Sequence, residues 1–322
     1  MAETEKIEIP KNQEDIEIVN VTNAYYDEAE ESRRERMQLN RENMDAYYNK
    51  QDWSHKMDGQ SKEFIPKVSV TVEQFTAFLK RALTMFGDWF AIEVPDDYPL
   101  TFETVRKIIR CFTDHLPEGT SSSEETTIEQ RIGDAVKLAL LESLMIFKVH
   151  GNEFVDRRFR VEEGDLKVID FPNWKLQVDV ISGHDYYVDP TGRGLYEIHE
   201  VERDLHEIVR LSQGDNPIYK PEVVKEIVAS FHRDEDQKQE RHDVTEDDST
   251  VTPRKRVVLR ECWGTLLNKD GTVKKEEVFW TIANKKWLIR DPDKFPFWHG
   301  GSPFLAIPLI RVPLSVLHKA VY

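Results

Sequence analysis

The sequence predicts an α+β protein in which a helical N-terminal region is followed by an antiparallel, strand-rich region. Three observations carry that reading. Before residue 150 apolar residues recur at helical spacing, as in Val72, Phe75, Phe78, Leu79 and Leu83, and again in Ile128, Ile132, Val136 and Leu140. Beyond it they alternate, through Phe159, Val161, Leu166, Val168 and Phe171 and then Leu176, Val178 and Val180. The run Asn268-Lys269-Asp270-Gly271 stands between two apolar stretches as a hairpin signal. With 322 residues there is chain for about two domains. A hydrophobic content of 39%, with seven Trp and sixteen Phe, supplies a core and excludes wholesale disorder.

Residues 1–21 read as an acidic, weakly patterned tail, which opens into a helical region over 22–150. Its first helix is expected from Thr22 to Gln51, a stretch without Gly or Pro in which Met37, Asn40, Met44 and Tyr47 make a thin stripe. Such a stripe leans on its own domain or on another subunit. Pro66 biases Ile65 away from helix, so residues 64–68 are an extended entry to a helix from Thr71 to Phe86, stopped by Gly87. Residues 88–94 read as a short strand, Leu100 to His115 as an amphipathic helix and 121–125 as a loop. Thr126 with Glu129 three residues later is a capping-box pattern, and the helix it opens is apolar nearly all round. Gly151 is expected to end that helix and to mark the main domain break.

Residues 151–232 read as β-rich with a helical interlude, with turns at Glu163-Gly164 and Pro172-Asn173 and helices over Val201 to Leu211 and Pro221 to Phe231. Residues 233–252 hold no apolar side chain except Val244 and Val251, the composition of an acidic flexible linker. The last region, 253–322, starts with strands at Arg256–Leu267 and Glu277–Ile289. A second turn at Asn284-Lys285 makes them part of a meander. The remainder, from Asp291, is rich in Pro and aromatics and is expected to be ordered but irregular.

The net charge of −16 is unevenly spread. Residues 1–31 hold −8 of it and 233–248 another −5, which leaves −3 for the rest of the chain. That is no footprint for gripping duplex DNA, although a neutral or acidic wall lets a polyanion slide past without capture. Cys111 and Cys262 stand far apart with no CxxC spacing, so neither disulfides nor zinc are indicated. The N-terminus lacks a cationic and an apolar segment and so does not read as a signal peptide. The most apolar run, Ala135 to Phe147, is too short to span a bilayer.

Candidate chemistry is sparse. His184, Asp185 and Asp189 in HDYYVDP form the densest polar cluster, of a type that serves metal ligation or acid–base work. Alternation separates His184 from Asp185, however, and Asp189-Pro190-Thr191-Gly192 is first a turn whose carboxylate accepts backbone N–H groups. His199 and His206 share a face if helical, but their spacing is not HExxH, and a solvated helix face is the plainer reading. Trp287, Trp298 and His299 read as packing over the meander before they read as a partner patch. Neither a phosphate-binding glycine loop nor a nucleophile elbow is present. No catalytic, cofactor or metal residue is therefore assigned, and the chain reads as a binding or structural protein, not an enzyme.

Taken in order, five segments resemble the portal proteins of tailed bacteriophages, particularly the short-tailed type. They are RENMDAYYNKQDW, FIPKVSVTVEQFTAFL, DAVKLALLESLMIFKVHG, VDVISGHDYYVDPTGRGLYEIHEVERDLHEIVRLSQ and the stretch from LRECWGTLLNKDG to Phe304. The resemblance runs from about Arg33 to the end. Its most specific pieces are the Tyr187-Val188-Asp189-Pro190 turn with Tyr196 and His199 after it, the hairpin, and the region from Asn284 to Pro303.

The resemblance implies a ring-forming head–tail connector, dodecameric in the family, at one capsid vertex of the virion and assembled in the host cytoplasm. Its partners would be further copies, the terminase, capsid and tail proteins, and double-stranded DNA passing through the channel without sequence-specific binding. Neither cofactor nor membrane is implied. The family continues past the point matching Tyr322 into its stem and tunnel helices, so a truncated gene, a fragment or one piece of a split protein is expected. Two alternatives of other classes stand beside it. One is a metal-dependent hydrolase or nuclease using His184, Asp185 and Asp189; the other is an acidic adaptor binding a basic partner.

Overall fold

The elements in chain order are α1 (Gln13–Tyr47), α2 (Lys67–Thr84), α3 (Ile128–Glu142), β1 (Leu144–Glu162), β2 (Asp165–Ile181), β3 (Tyr186–Val188), β4 (Tyr196–Asp204), α4 (Leu205–Leu211), α5 (Pro221–His242), β5 (Arg256–Leu267), β6 (Val273–Ala283), β7 (Trp287–Lys294) and β8 (Phe304–Pro308). The computed structural model describes residues 12–50, 65–85, 103–104, 107, 128–162, 165–214, 216–242, 255–297 and 300–309; for 128–129, 152–176 and 232–242 it describes the backbone. The chain is α+β, a long N-terminal helix followed by antiparallel sheets. It divides into two compact units, one of Met1–Arg34 with His184–Ser302 and one of Glu35–Gly183 with Pro303–Tyr322.

In the first unit the strands lie in the order β3-β4-β5-β6-β7, every neighbour antiparallel. Side chains alternate between its faces. One set, including Tyr196, Ile198, Cys262, Leu266, Val278, Trp280, Ile282 and Leu288, packs against Ile18, Val19, Tyr25, Tyr26 and Ala29 of α1. The other set, Val257, Leu259, Ala283 and Ile289, packs against Ile208 of α4, Val224 and Ile227 of α5, and Tyr219 just before it. The sheet is thus covered on both faces. Trp280 is fully buried, and its Nε1–H donates to the Thr22 hydroxyl at 2.9 Å. Thr22 in turn donates to the Ile18 carbonyl at 2.7 Å, so a polar pair is satisfied inside the core.

Local chemistry sets the turns of this meander. Asn284 (φ 45°) and Lys285 (φ 63°) occupy the left-handed positions of a two-residue turn between β6 and β7, and Lys286 N–H closes it on the Ala283 carbonyl at 3.0 Å. Between β5 and β6, Gly271 (φ 85°) donates to the Asn268 carbonyl at 3.0 Å, which completes the expected hairpin. The strand at Arg256–Leu267 matches the alternation that predicts it.

In the second unit the sheet order is β2-β1-β8. The helix α3 packs on the face that carries Ile146 and Ile181, both buried, and Arg131 reaches Asp179 on that face at 3.4 Å. Glu142 at the end of α3 accepts hydrogen bonds from the Ser182 hydroxyl (2.8 Å) and the Gly183 N–H. The last part of α1 is tied to α3 by the Asn43 amide donating to the Leu141 carbonyl at 3.0 Å, and α2 by the Lys137–Glu73 ion pair at 2.8 Å. Asn49 (φ 58°) ends α1: its N–H donates to Ala46 and that of Lys50 to Asp45, the paired bonds of a Schellman cap.

Several expectations are corrected. The first helix starts at Gln13 and not Thr22, so residues 12–21 are not tail; the Asn12 side chain accepts the Glu14 N–H, and Glu14 and Asp15 sit in the first turn, where a helix favours acids. The helix before Gly151 ends at Glu142, with Ser143 (φ 74°) at the break, and Gly151 lies within β1 opposite Leu176. The run Leu144 to Val149 is apolar in a way that suits a buried helix and a strand equally, so periodicity alone misplaces the boundary. Pro172-Asn173 is no turn but continues β2, where an edge strand tolerates a residue without N–H. The expected helix at Val201 starts only at Leu205, because Tyr196 to Asp204 pairs with β5. Residues 233–242 of the expected linker extend α5. The readings at 51–64, 86–102, 108–127, 163–164, 243–254, 298–299 and 310–322 lie outside the described residues.

Candidate functional site

The sequence-singled cluster HDYYVDP lies at the junction of β3 with α1 in the first unit. Asp189 is buried and serves its own loop. One carboxylate oxygen accepts the Thr191 N–H (2.8 Å) and hydroxyl (2.6 Å), and the other accepts the Leu195 N–H at 3.0 Å. Burial pushes its pKa up, but these hydrogen bonds outweigh burial and leave it below the ordinary aspartate value. Gly192 (φ 73°) and Gly194 (φ 71°) supply the left-handed positions the loop needs.

His184 and Asp185 do not converge on Asp189. The His184 carbonyl and the Tyr186 carbonyl both accept hydrogen bonds from the Arg33 guanidinium, which also lies 3.7 Å from the Tyr187 ring centroid. Asp185 is raised above the ordinary range chiefly by burial, against the opposing pull of His199, His184 and Arg33. His199 sits on strand β4 with its Nδ1 3.7 Å from Glu261, whereas His206 lies in α4, so the two do not share a helix face. Among the described residues no group of three or more His, Cys, Asp or Glu is placed to hold a metal ion. Trp287 is half-buried against the α4–α5 side of the sheet.

Around this junction lies a network of arginines and tyrosines that the sequence reading misses. Arg260 is 1% exposed; its Nε donates to Glu200 at 2.9 Å and its Nη1 to Asn23 at 3.1 Å, and its guanidinium lies 3.2 Å from the Tyr26 ring centroid. The Tyr26 and Tyr187 hydroxyls are 2.6 Å apart. Burial raises both phenols, so both remain neutral. Tyr25 stacks on Tyr196 with ring centroids 4.4 Å apart, and its hydroxyl accepts the Leu267 N–H at 3.1 Å. A signal was there to find: Ile18, Thr22, Tyr25, Tyr26, Ala29 and Arg33 recur at three- and four-residue spacing. Thr22 and Arg33 interrupt that stripe and two of its members are tyrosines, so an apolar periodicity of aliphatic residues does not stand out there.

These groups have the chemistry of a fixed joint. Every cation in it is stacked or paired within the unit, and its tyrosines are held neutral, so it locks α1 to the sheet and leaves no activated nucleophile or base. A separate cleft of about 560 Å³ opens between the start of α1, the first turn of α5 and β7, lined by Ile16, Val19, Lys220, Val223, Trp287 and Leu288 among others. Lys220 there is bound by Asp291 (2.7 Å) and Asp15 (3.0 Å). Comparison with protein-family models and with curated proteins finds no match to this chain. Among the described residues no helix is long and apolar enough to cross a membrane.

Proposed function

We propose that this chain is a structural subunit of a ring-forming portal, or part of such a subunit, built for assembly and DNA passage instead of catalysis. Its copies would close a ring at one capsid vertex, with terminase and tail proteins as partners and duplex DNA crossing without sequence-specific contact. The ordered resemblance of five segments supports this reading. The structural observation that carries it is α2, which leaves Phe75 (54% exposed) and Phe78 (68%) in water, with Ile65 (71%) before it and Met85 (59%) just after it. Clustered large apolar side chains of that exposure mark a surface that works covered. A near-neutral body, once the acidic stretches are set aside, also suits a wall past which a polyanion slides.

The test is molar mass by light scattering after size exclusion, with negative-stain imaging of the same peak. Closed rings with a central hole are the expected outcome, and a monomer at every concentration overturns the reading. The Asp189→Ala variant gives a second check: under this proposal it loses stability and no Mg²⁺- or Mn²⁺-dependent nuclease activity exists for it to abolish.

A further inference from the structure

The five-stranded sheet ends at β7, and its two helical covers part there. Alternation sends Leu288 to the α1 side of the sheet and Trp287 to the α4–α5 side. Beyond this edge strand the sheet no longer fills the space between the two layers. That space is the cleft of about 560 Å³ between the start of α1, the first turn of α5 and β7, and all its lining residues belong to the first unit. Lys220 ties its walls together. Its backbone N–H donates to the Ile289 carbonyl at 2.8 Å, and its Nζ holds Asp15 of α1 and Asp291 of β7.

The lining sorts by chemistry. Ile16, Val19, Val223, Trp287 and Leu288 are apolar, with Trp287 half-buried, and the volume falls within the roughly 300–1,000 Å³ of clefts that take small molecules. Charges of both signs stand around them. Lys225 and Lys286 have no carboxylate partner among the described residues, and Glu222 and Glu226 have no cation. Lys286 Nζ lies instead 6.0 Å from the Trp287 ring centroid. Glu222 and Glu226 are one turn apart on α5, so both fall on the side of the helix that lines the cleft. A lone anion would meet two uncompensated carboxylates here, and a lone cation two uncompensated ammonium groups. A molecule carrying both charges meets a counter-charge for each.

We infer that this cleft is a binding site for a small zwitterion with a planar apolar body, the chemistry of an aromatic amino acid. The ring lies on Trp287 and the aliphatic residues beside it. Lys225 and Lys286 receive the carboxylate, and Glu222 and Glu226 the ammonium group. Exposed ion pairs add little affinity one at a time, so the apolar lining supplies most of the binding and the charges select which ligand is held. The site goes beyond the assembly proposed above and does not rest on it, since one copy of the chain supplies every residue.

The test titrates the full chain with L-phenylalanine by isothermal titration calorimetry. Three further probes are phenylacetate, which lacks the ammonium group, phenethylamine, which lacks the carboxylate, and glycine, which lacks the ring. L-Phenylalanine is expected to bind with a Kd of about 1 mM or tighter, and each of the other three at least about tenfold more weakly. Lys286→Glu and Glu226→Lys should each weaken L-phenylalanine by about fivefold or more, with Lys269→Glu on the β5–β6 hairpin as an unchanged control. Trp287→Ala should abolish measurable binding. Circular dichroism and the melting temperature check that each variant folds; Lys286 is exposed, so its variant keeps the inference open to refutation if Trp287→Ala does not fold. A wild-type chain that does not bind L-phenylalanine overturns the inference, as does binding that folded Lys286→Glu and Glu226→Lys leave unchanged. Any of the three other probes binding as tightly as L-phenylalanine overturns it too.

Discussion

The two sheets obey the same antiparallel rules and are finished differently. In the five-stranded sheet both faces are loaded with apolar side chains, and α1 on one side and α4 with α5 on the other bury them. The three-stranded sheet has α3 on one face, while on the other Phe147, Val149, Val178 and Val180 remain half-buried and Leu305 is exposed. A strand's alternation therefore states how many covers a sheet needs, and among the described residues helices cover two faces of one sheet and one face of the other. The described part of the first unit thus supplies both covers of its sheet.

The sharpest way to break the first unit is at Gly264. It has φ 137°, and a Cβ there would lie 2.3 Å from the Leu195 carbonyl oxygen and 2.9 Å from the Tyr196 Cα, both backbone atoms. Gly264→Ala is expected to cost more than about 3 kcal/mol, read by urea unfolding, because neither the backbone conformation nor the β4–β5 contact can give. A loss under about 1 kcal/mol would mean that the sheet is looser than its double cover implies.

A smaller effect lies in the Asp189 loop. Replacing the carboxylate by Asp189→Asn should cost about 1–2 kcal/mol at neutral pH through its charge-assisted hydrogen bonds. Because the folded pKa lies below the unfolded one, this stabilisation is complete above the ordinary aspartate range and is lost as pH falls through the lowered value. Asp185 and Glu197 have values raised by partial desolvation and act in the opposite sense, gaining as they are protonated. The wild-type minus Asp189→Asn difference in unfolding free energy should thus shrink between about pH 5 and pH 3. A difference that does not change over that range would refute the account.

The smallest effect, and the only stabilising one, is expected in the second unit. Asn40 is 1% exposed, and neither its Nδ2 nor its Oδ1 has a hydrogen-bond partner among the described residues. Asn40→Leu should raise stability by about 1 kcal/mol, since it removes two unsatisfied polar atoms from a buried site. A lowered melting temperature would show that the amide has a role the fold alone does not reveal.

What the sequence disclosed divides along a physical line. Features set by a few adjacent residues were legible: the strand at Arg256–Leu267, the Asn268 to Gly271 hairpin, the Asn284-Lys285 turn and the Asp189 turn. Each rests on backbone conformations that only certain residue types adopt. Features set by distant partners were not. The strand start at Leu144 hid in an apolar run, and Pro172 looked like a turn because nothing local says that β2 is an edge. Arg260 gave no sign of its burial, because its acceptors Glu200 and Asn23 lie 60 and 237 positions away. Thr22 and Tyr26 in the α1 stripe make sense only once Trp280 and Arg260 are in place to meet them.

The distance between Thr22 and Trp280 has a consequence in time. They are 258 positions apart, so on a ribosome adding roughly 5–20 residues per second the first helix emerges about 13–50 s before the strand it must dock on. In β3 to β7 neighbours in the sheet are neighbours in chain order, with only α4 and α5 set between β4 and β5, whereas α1 must close the longest separation in its unit. A polar, strongly charged helix can wait that long without sticking to its neighbours. The threonine and arginine that interrupt its stripe, with the acids on its other faces, leave that helix little continuous apolar surface to expose before its sheet arrives.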